Sequence, residues 1–203
     1  MQPYLKYKLH KFARKNSWLS DLLDKLLLKS KKIAIVSNNC WGIRLYKNLN
    51  LPYNTPFIGL AIPPDDYIKI ISDLEKYLNI ELTINDFIKS DNYPVALLSG
   101  IRINFIHYDN EQDAIKKWNR RRTRLLSFIK ENSIDSIIFK FCPVDFEDGN
   151  FLERFRESNL KRKIFLGKNS VIIKRNGDFP DGLELYEIRL LYYWKLLNQF
   201  NGL

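Results

Sequence analysis

Residues 31–49, KKIAIVSNNCWGIRLYKNL, decide the fold. The apolar run Ile33–Val36 stops at Ser37, Asn38 and Asn39, residue types that favour turns and caps. Apolar spacing then restarts at helical intervals with Ile43, Leu45, Tyr46 and Leu49. The stretch reads as strand, tight turn, helix. A turn at a helix N-terminus gathers unpaired backbone N–H groups at the positive end of the helix dipole. Ser37, Asn38, Asn39, Trp41 and Gly42 are therefore candidate ligands for a phosphate or carboxylate, and Cys40 is a candidate thiolate nucleophile.

Downstream, Pro52, Pro56, Pro63 and Pro64 punctuate LPYNTPFIGLAIPPDDYIKIISDLEKYL. They leave a short strand near Phe57 to Ala61 and a helix from Pro64 or Asp65, with Tyr67, Ile68, Ile71, Leu74, Tyr77 and Leu78 facing the core. YPVALLSGIRINFIHY reads as a hairpin, Pro94 to Leu98 and Ile101 to Tyr108, turning at Ser99 and Gly100. A helix follows from about Glu111 to Lys130. SIIFKF, KIFLGK and SVIIKR are three further strands, the last two joined by a turn at Gly167 to Asn169, and LELYEIRLLYYWKLLNQF is a closing helix. The alternation predicts one three-layer α/β/α domain over residues 31–203, and the hairpins predict a mixed rather than all-parallel sheet.

Residues 1–30 form a basic amphipathic arm, in which Lys6, Lys8, Lys11, Arg14, Lys15, Lys25 and Lys29 alternate with apolar and aromatic residues. Asn16, Ser17 and Ser20 divide it into two helices, with Ser20 capping the second. Such an arm either packs on the domain or lies on an anionic membrane surface. The whole chain carries 33 Lys and Arg against 23 Asp and Glu, a net charge of +10, which points to an acidic partner. Its 45% hydrophobic content is too high for a disordered chain and supports a packed core. Cys40 and Cys142 show no metal-ligand spacing, no secretory leader is recognisable, and no apolar run reaches a membrane span of ~20 residues. The expected setting is cytoplasmic, with peripheral contact at the inner face of the membrane through the arm.

In strand 101–108, His107 alternates onto the face of Ile101, Ile103 and Phe105, near the edge where α/β sheets bind ligands. It is a candidate general base, alone or with Cys40, or else a structural histidine. On the helix AIKKWNRRRTRLLSFIK, Arg122 falls inside the stripe of Ala114, Ile115, Trp118, Leu125, Leu126 and Ile129, and Arg121 flanks it. A buried guanidinium requires a partner: a salt bridge to Asp109, Asp145 or Asp148, or a bidentate substrate phosphate. VDFEDG, residues 144–149, is either a solvated turn or a loop for a divalent metal; NGDFPDG reads as a loop. Dinucleotide-binding, Walker, nucleophile-elbow and zinc patterns are absent from the sequence, so classical dinucleotide binding, P-loop hydrolysis and α/β-hydrolase chemistry lack support, no metal ligand is assigned, and the cofactor is left open.

SNNCWG, LPYNTPFIGLAI, YPVALLSGIRINFIHY and DAIKKWNRRRTR occur in the order found in a bacterial family of unknown function, whose members are commonly described as exopolysaccharide biosynthesis proteins. The chain resembles that family over about residues 31–175. The resemblance implies a three-layer α/β/α domain with a mixed sheet and a setting among genes for surface polysaccharide. Ser37, Asn38, Asn39, Cys40, Trp41, Gly42, His107, Trp118, Arg121 and Arg122 match its motif positions, without assigned roles. Where the family has a stretch resembling Thr-Asp-Arg-Asp, this chain has FKFCPVDFEDG, with Asp145 or Asp148 as the counterpart.

The leading expectation is a transferase acting on a phosphorylated or nucleotide-activated sugar. In it the SNNCWG turn and Arg121 or Arg122 hold phosphate, and His107 deprotonates an acceptor hydroxyl. The second is a thiol acyltransferase or hydrolase with Cys40 as nucleophile and His107 as base. The third is a non-catalytic protein- or nucleic-acid-binding module, for which no recognised nucleic-acid motif exists.

Overall fold

A computed structural model describes residues 17–28, 32–142 and 150–165 of the chain. The elements are α1 (Ser17–Leu28), β1 (Ala34–Ser37), α2 (Ile43–Asn48), α3 (Pro64–Ser72), α4 (Leu74–Asn79), β2 (Phe87–Ile88), β3 (Val95–Leu98), β4 (Ile101–Asn104), α5 (Glu111–Asn132), β5 (Ile137–Phe141), α6 (Phe151–Glu157) and β6 (Lys163–Phe165). The fold is α/β, with parallel and antiparallel pairing both present. The two kinds of pairing fall in separate three-stranded sheets: a parallel one ordered β1-β5-β6 and an antiparallel one ordered β2-β3-β4.

The parallel sheet divides the core by strand alternation. Ala34, Val36, Ile137, Phe139 and Phe141 join the larger cluster, while Ile35, Ile138 and Cys142 face the smaller one beneath α2. β5 is central and buried along its whole length, as a parallel strand covered on both faces must be. The far edge of β1 is closed by side chains. Tyr46 Oη accepts from Ile35 N at 3.1 Å and donates to Asn54 Oδ1 at 2.6 Å, and Asn54 Nδ2 donates to Ile33 O at 2.7 Å.

The predicted hairpin forms with a two-residue link in which Ser99 and Gly100 both have positive φ, 51° and 80°, matching the twist of tight hairpins. β4 ends at Asn104, four residues before the predicted limit. There Ala61 and Asn104 exchange backbone hydrogen bonds, while Ile62 N donates to Asn38 O. The expected strand near Phe57 to Ala61 is thus a single bridge, and the segment around it ties the end of β1 to the end of β4. α5 begins where Asn110 caps Asp113 N at 2.9 Å. Its Trp118 packs edge-on against Phe57 and Phe105.

Two further local expectations are corrected, and one strand is new. The helix predicted from Pro64 breaks at Asp73 (φ −148°) into α3 and α4. α1 starts at Ser17 and runs through Ser20, which is interior and not a cap. A short strand, β2, forms at Phe87, which pairs with Ala96. The first helix of the arm, VDFEDG, SVIIKR, the turn at 167–169, NGDFPDG and the closing helix lie outside the described residues. Among the described residues no helix is long and apolar enough to cross a membrane.

Candidate functional site

Residues 37–42 make the predicted turn at the C-terminal edge of the parallel sheet, where α/β sheets usually take ligands. Most of its side chains build the turn itself. Asn38 is buried and extends the β1–β5 pairing beyond the ladder: its Nδ2 donates to Cys142 O at 2.7 Å and its Oδ1 accepts from Cys142 N at 3.0 Å. Ser37 is fully buried, and its Oγ accepts from Asn39 N at 3.3 Å. Trp41 lies in the smaller core cluster. Gly42 has φ +95°, and a Cβ there would stand 3.1 Å from Ile35 Cδ1, so glycine meets both a backbone and a packing need. α2 is only six residues long and has no side-chain cap, which removes the long aligned dipole expected to make the turn an anion site.

The residue that gives the turn its charge was not among the expected ligands. Lys140 stands opposite Ser37 in the β1–β5 ladder, is 0% exposed, and donates through Nζ to Asn39 Oδ1 at 2.6 Å. Burial lowers its pKa to about 8, while the neighbouring Cys142 and Cys40 thiols act in the opposite direction. Burial likewise raises the Cys142 thiol. Asn39 Oδ1 also accepts from Ser37 Oγ and Trp41 N, both at 3.2 Å, whereas Asn39 Nδ2 is buried without a partner. The lysine in the middle of the apolar run SIIFKFC was the signal: a parallel central strand has no solvent face on which to put it.

Cys40 is half-buried, with Sγ 3.7 Å from Leu60 O. On the same segment, His107 N donates to Gly59 O at 3.3 Å and Tyr108 Oη donates to Ile58 O at 2.7 Å. Cys40 and His107 therefore border one short stretch, 58–60. His107 does not share the apolar face of β4, because the strand has ended and residues 105–108 turn, leaving its side chain exposed. Gly59 (φ +74°) permits this close approach: a Cβ there would meet His107 Cβ at 3.2 Å and Tyr108 Cε2 at 3.3 Å.

Arg121 and Arg122 diverge. Arg121, 6% exposed, donates through Nη1 to Tyr108 Oη at 2.7 Å and stacks over the Tyr53 ring at 4.9 Å; its Nε is buried without a partner. Burial pushes the Tyr108 hydroxyl up to about 12, against the pull of the Arg121 charge, and the Cys40 thiol adds a smaller upward influence. Segment 58–60 thus joins two groups into one cluster: Cys40, next to the Asn39 that binds Lys140, reaches Leu60 O, and Tyr108, which holds Arg121, reaches Ile58 O. Arg122 faces the other way, donating to Leu78 O at 2.8 Å and pairing with Glu81 at 2.7 Å. Its described partner is Glu81 rather than the expected Asp109, and Asp145 and Asp148 lie outside the described residues. Because Glu81 is 71% exposed, the ion pair contributes little. Arg122→Ala is expected to cost about 1–2 kcal/mol in chemical denaturation, chiefly from the orphaned Leu78 carbonyl. Among the described residues no group of three His, Cys, Asp or Glu side chains is placed to hold a metal.

Residues 10–175 match the family described as a domain of unknown function (DUF1919). The chain belongs to this family. The matched span includes every residue of the cluster and extends the resemblance back from residue 31 into the basic arm. The chain is also similar to an uncharacterized protein of Haemophilus influenzae, 32% identical over 164 residues that cover 81% of this chain and 75% of that protein. The family is thus bacterial and of unknown function, and neither description names an activity.

Proposed function

We propose that the chain is a transferase of surface polysaccharide synthesis that acts on a phosphorylated or nucleotide-activated sugar. The carrying observation is a surplus of buried donors. Lys140 and Arg121 are buried cations with no carboxylate partner among the described residues, and Asn39 Nδ2 and Arg121 Nε lack acceptors. Unpaired buried charge is costly, and an anionic, oxygen-rich ligand supplies what these groups lack. The polysaccharide setting rests on the resemblance of SNNCWG, the HY turn and the KW-RR helix.

In this reading Lys140 and Asn39 hold the phosphate, and Arg121 completes the clamp. The exposed His107 takes the proton of the acceptor hydroxyl. That oxygen bonds to the sugar's anomeric carbon as the phosphate leaves with the electrons of the broken C–O bond. Cys40 serves as part of the wall.

A thermal-shift series with nucleotide sugars and sugar phosphates tests this. A ligand at a hundred times its Kd adds about 2.7 kcal/mol to the folded state, a readily measured rise in Tm. The rise is expected to vanish in Lys140→Met and Arg121→Ala and to persist in Arg122→Ala and Cys40→Ala. No shift with any such compound at millimolar concentration overturns the reading. Binding that survives in Cys40→Ala while turnover is lost moves the assignment to thiol chemistry at Cys40.

A further inference from the structure

We propose that the outward face of α1 docks on an anionic lipid surface. Three large apolar side chains one turn apart, Trp18, Leu22 and Leu26, are 62%, 45% and 70% exposed. Spacing of i, i+4, i+8 puts them in one stripe, and the exposed Lys25, seven residues after Trp18, lies on the same side. The stripe is not a helix awaiting a place in the core, because α1 is already seated by its other side. Leu28 is fully buried in the smaller cluster, and Asp21 binds Arg44 and Asn48 of α2. The docked orientation thus turns an acidic side chain inward and leaves a tryptophan, two leucines and a lysine facing out.

Charge selects the occupant. Residues 1–16 contain Lys6, Lys8, Lys11, Arg14 and Lys15 and no Asp or Glu, and Lys29, Lys31 and Lys32 follow the helix directly. An apolar stripe bracketed in sequence by lysine clusters is complementary to a bilayer with anionic headgroups, in which tryptophan sits at the interface and lysine stems lie along the acyl boundary. A second copy of this chain would bring the same lysine clusters together. This inference stands apart from the proposed reaction, since no residue of the Lys140 cluster enters it.

Co-sedimentation of the full chain with vesicles tests it. The protein is expected to pellet with phosphatidylcholine vesicles containing phosphatidylglycerol, to remain in solution with phosphatidylcholine alone, and to be released by added salt. Leu22→Glu with Leu26→Glu should lower the bound fraction about tenfold or more with Tm unchanged, since both positions are exposed. Lys25→Glu, which removes no apolar surface, should weaken binding less. Failure of the wild type to pellet with anionic vesicles overturns the proposal. So does equal binding by the Leu22→Glu, Leu26→Glu protein, which would mean charge alone at work. A dimer in size-exclusion chromatography that the double variant dissociates, without vesicle binding, would assign the face to a second copy and also overturn it.

Discussion

Lys140→Met is expected to make the ligand-free protein more stable at neutral pH, by about 3 kcal/mol at most, while abolishing ligand binding. The sign follows from proton linkage. The Lys140 amine has a pKa of about 8 in the folded protein against 10.5 when solvated. Below about 8 both states carry the ammonium, and the native state bears the full cost of burying it. Between about 8 and 10.5 the unfolded chain binds more protons, so the lysine's penalty fades as pH rises; above 10.5 it is gone. The advantage of Lys140→Met over wild type should therefore be largest at pH 7, shrink from pH 8 upward and vanish near 10.5. Cys142, Tyr46, Tyr67 and Tyr108 also have pKa values raised by burial, and each lowers stability as pH rises past its ordinary value. Most of that loss is common to both proteins, so the difference between their urea unfolding curves isolates Lys140. A variant less stable than wild type at pH 7, or an advantage independent of pH, would show that the ammonium is not strained. Stability sacrificed at one buried group is a usual mark of a ligand site.

Asn38→Ala is expected to destabilise the fold by about 2–4 kcal/mol, because it strands both the N–H and the C=O of Cys142 in a dry interface. Both bonds are buried and join residues 104 apart in sequence, so little else can replace them. The consequence reaches the site. Asn38 ties the turn to the end of β5, and the Asn39–Lys140 bond lies immediately beside that tie. Denaturant unfolding together with exchange of the Cys142 amide measures the effect. A loss below about 1 kcal/mol, with the amide still protected, would mean that the ladder alone holds the turn.

Much of the chain could be read from its periodicity. The apolar run before Ser37, the Ser99–Gly100 link and the stripe of α5 are local patterns, and each appears close to its predicted place. The burial of Arg121 and Arg122 was also legible, since the helical wheel puts both near Trp118 and Leu125. Their partners were not. Arg122 meets Glu81 across 41 residues and Arg121 meets Tyr108 across a turn, and neither separation leaves a trace in sequence spacing. Alternation extended beyond Asn104 puts His107 on the core face, but residues 105–108 turn, with Tyr108 N bonded to Phe105 O, and leave it exposed.

Lys140 marks the boundary between the two levels. Strand periodicity assigns it to an apolar run, and the number of acidic and basic residues says that the chain seeks an anionic partner. Sequence by itself thus determined which residues must be buried, where turns fall and that cations are in excess, since these depend on composition and on neighbours within a few positions. Tertiary structure alone decided that β5 lies beside β1, so that Lys140 reaches Asn39 while Arg122 turns away. Contacts between distant segments are set by the packing of whole sheets and helices, and no local pattern encodes them.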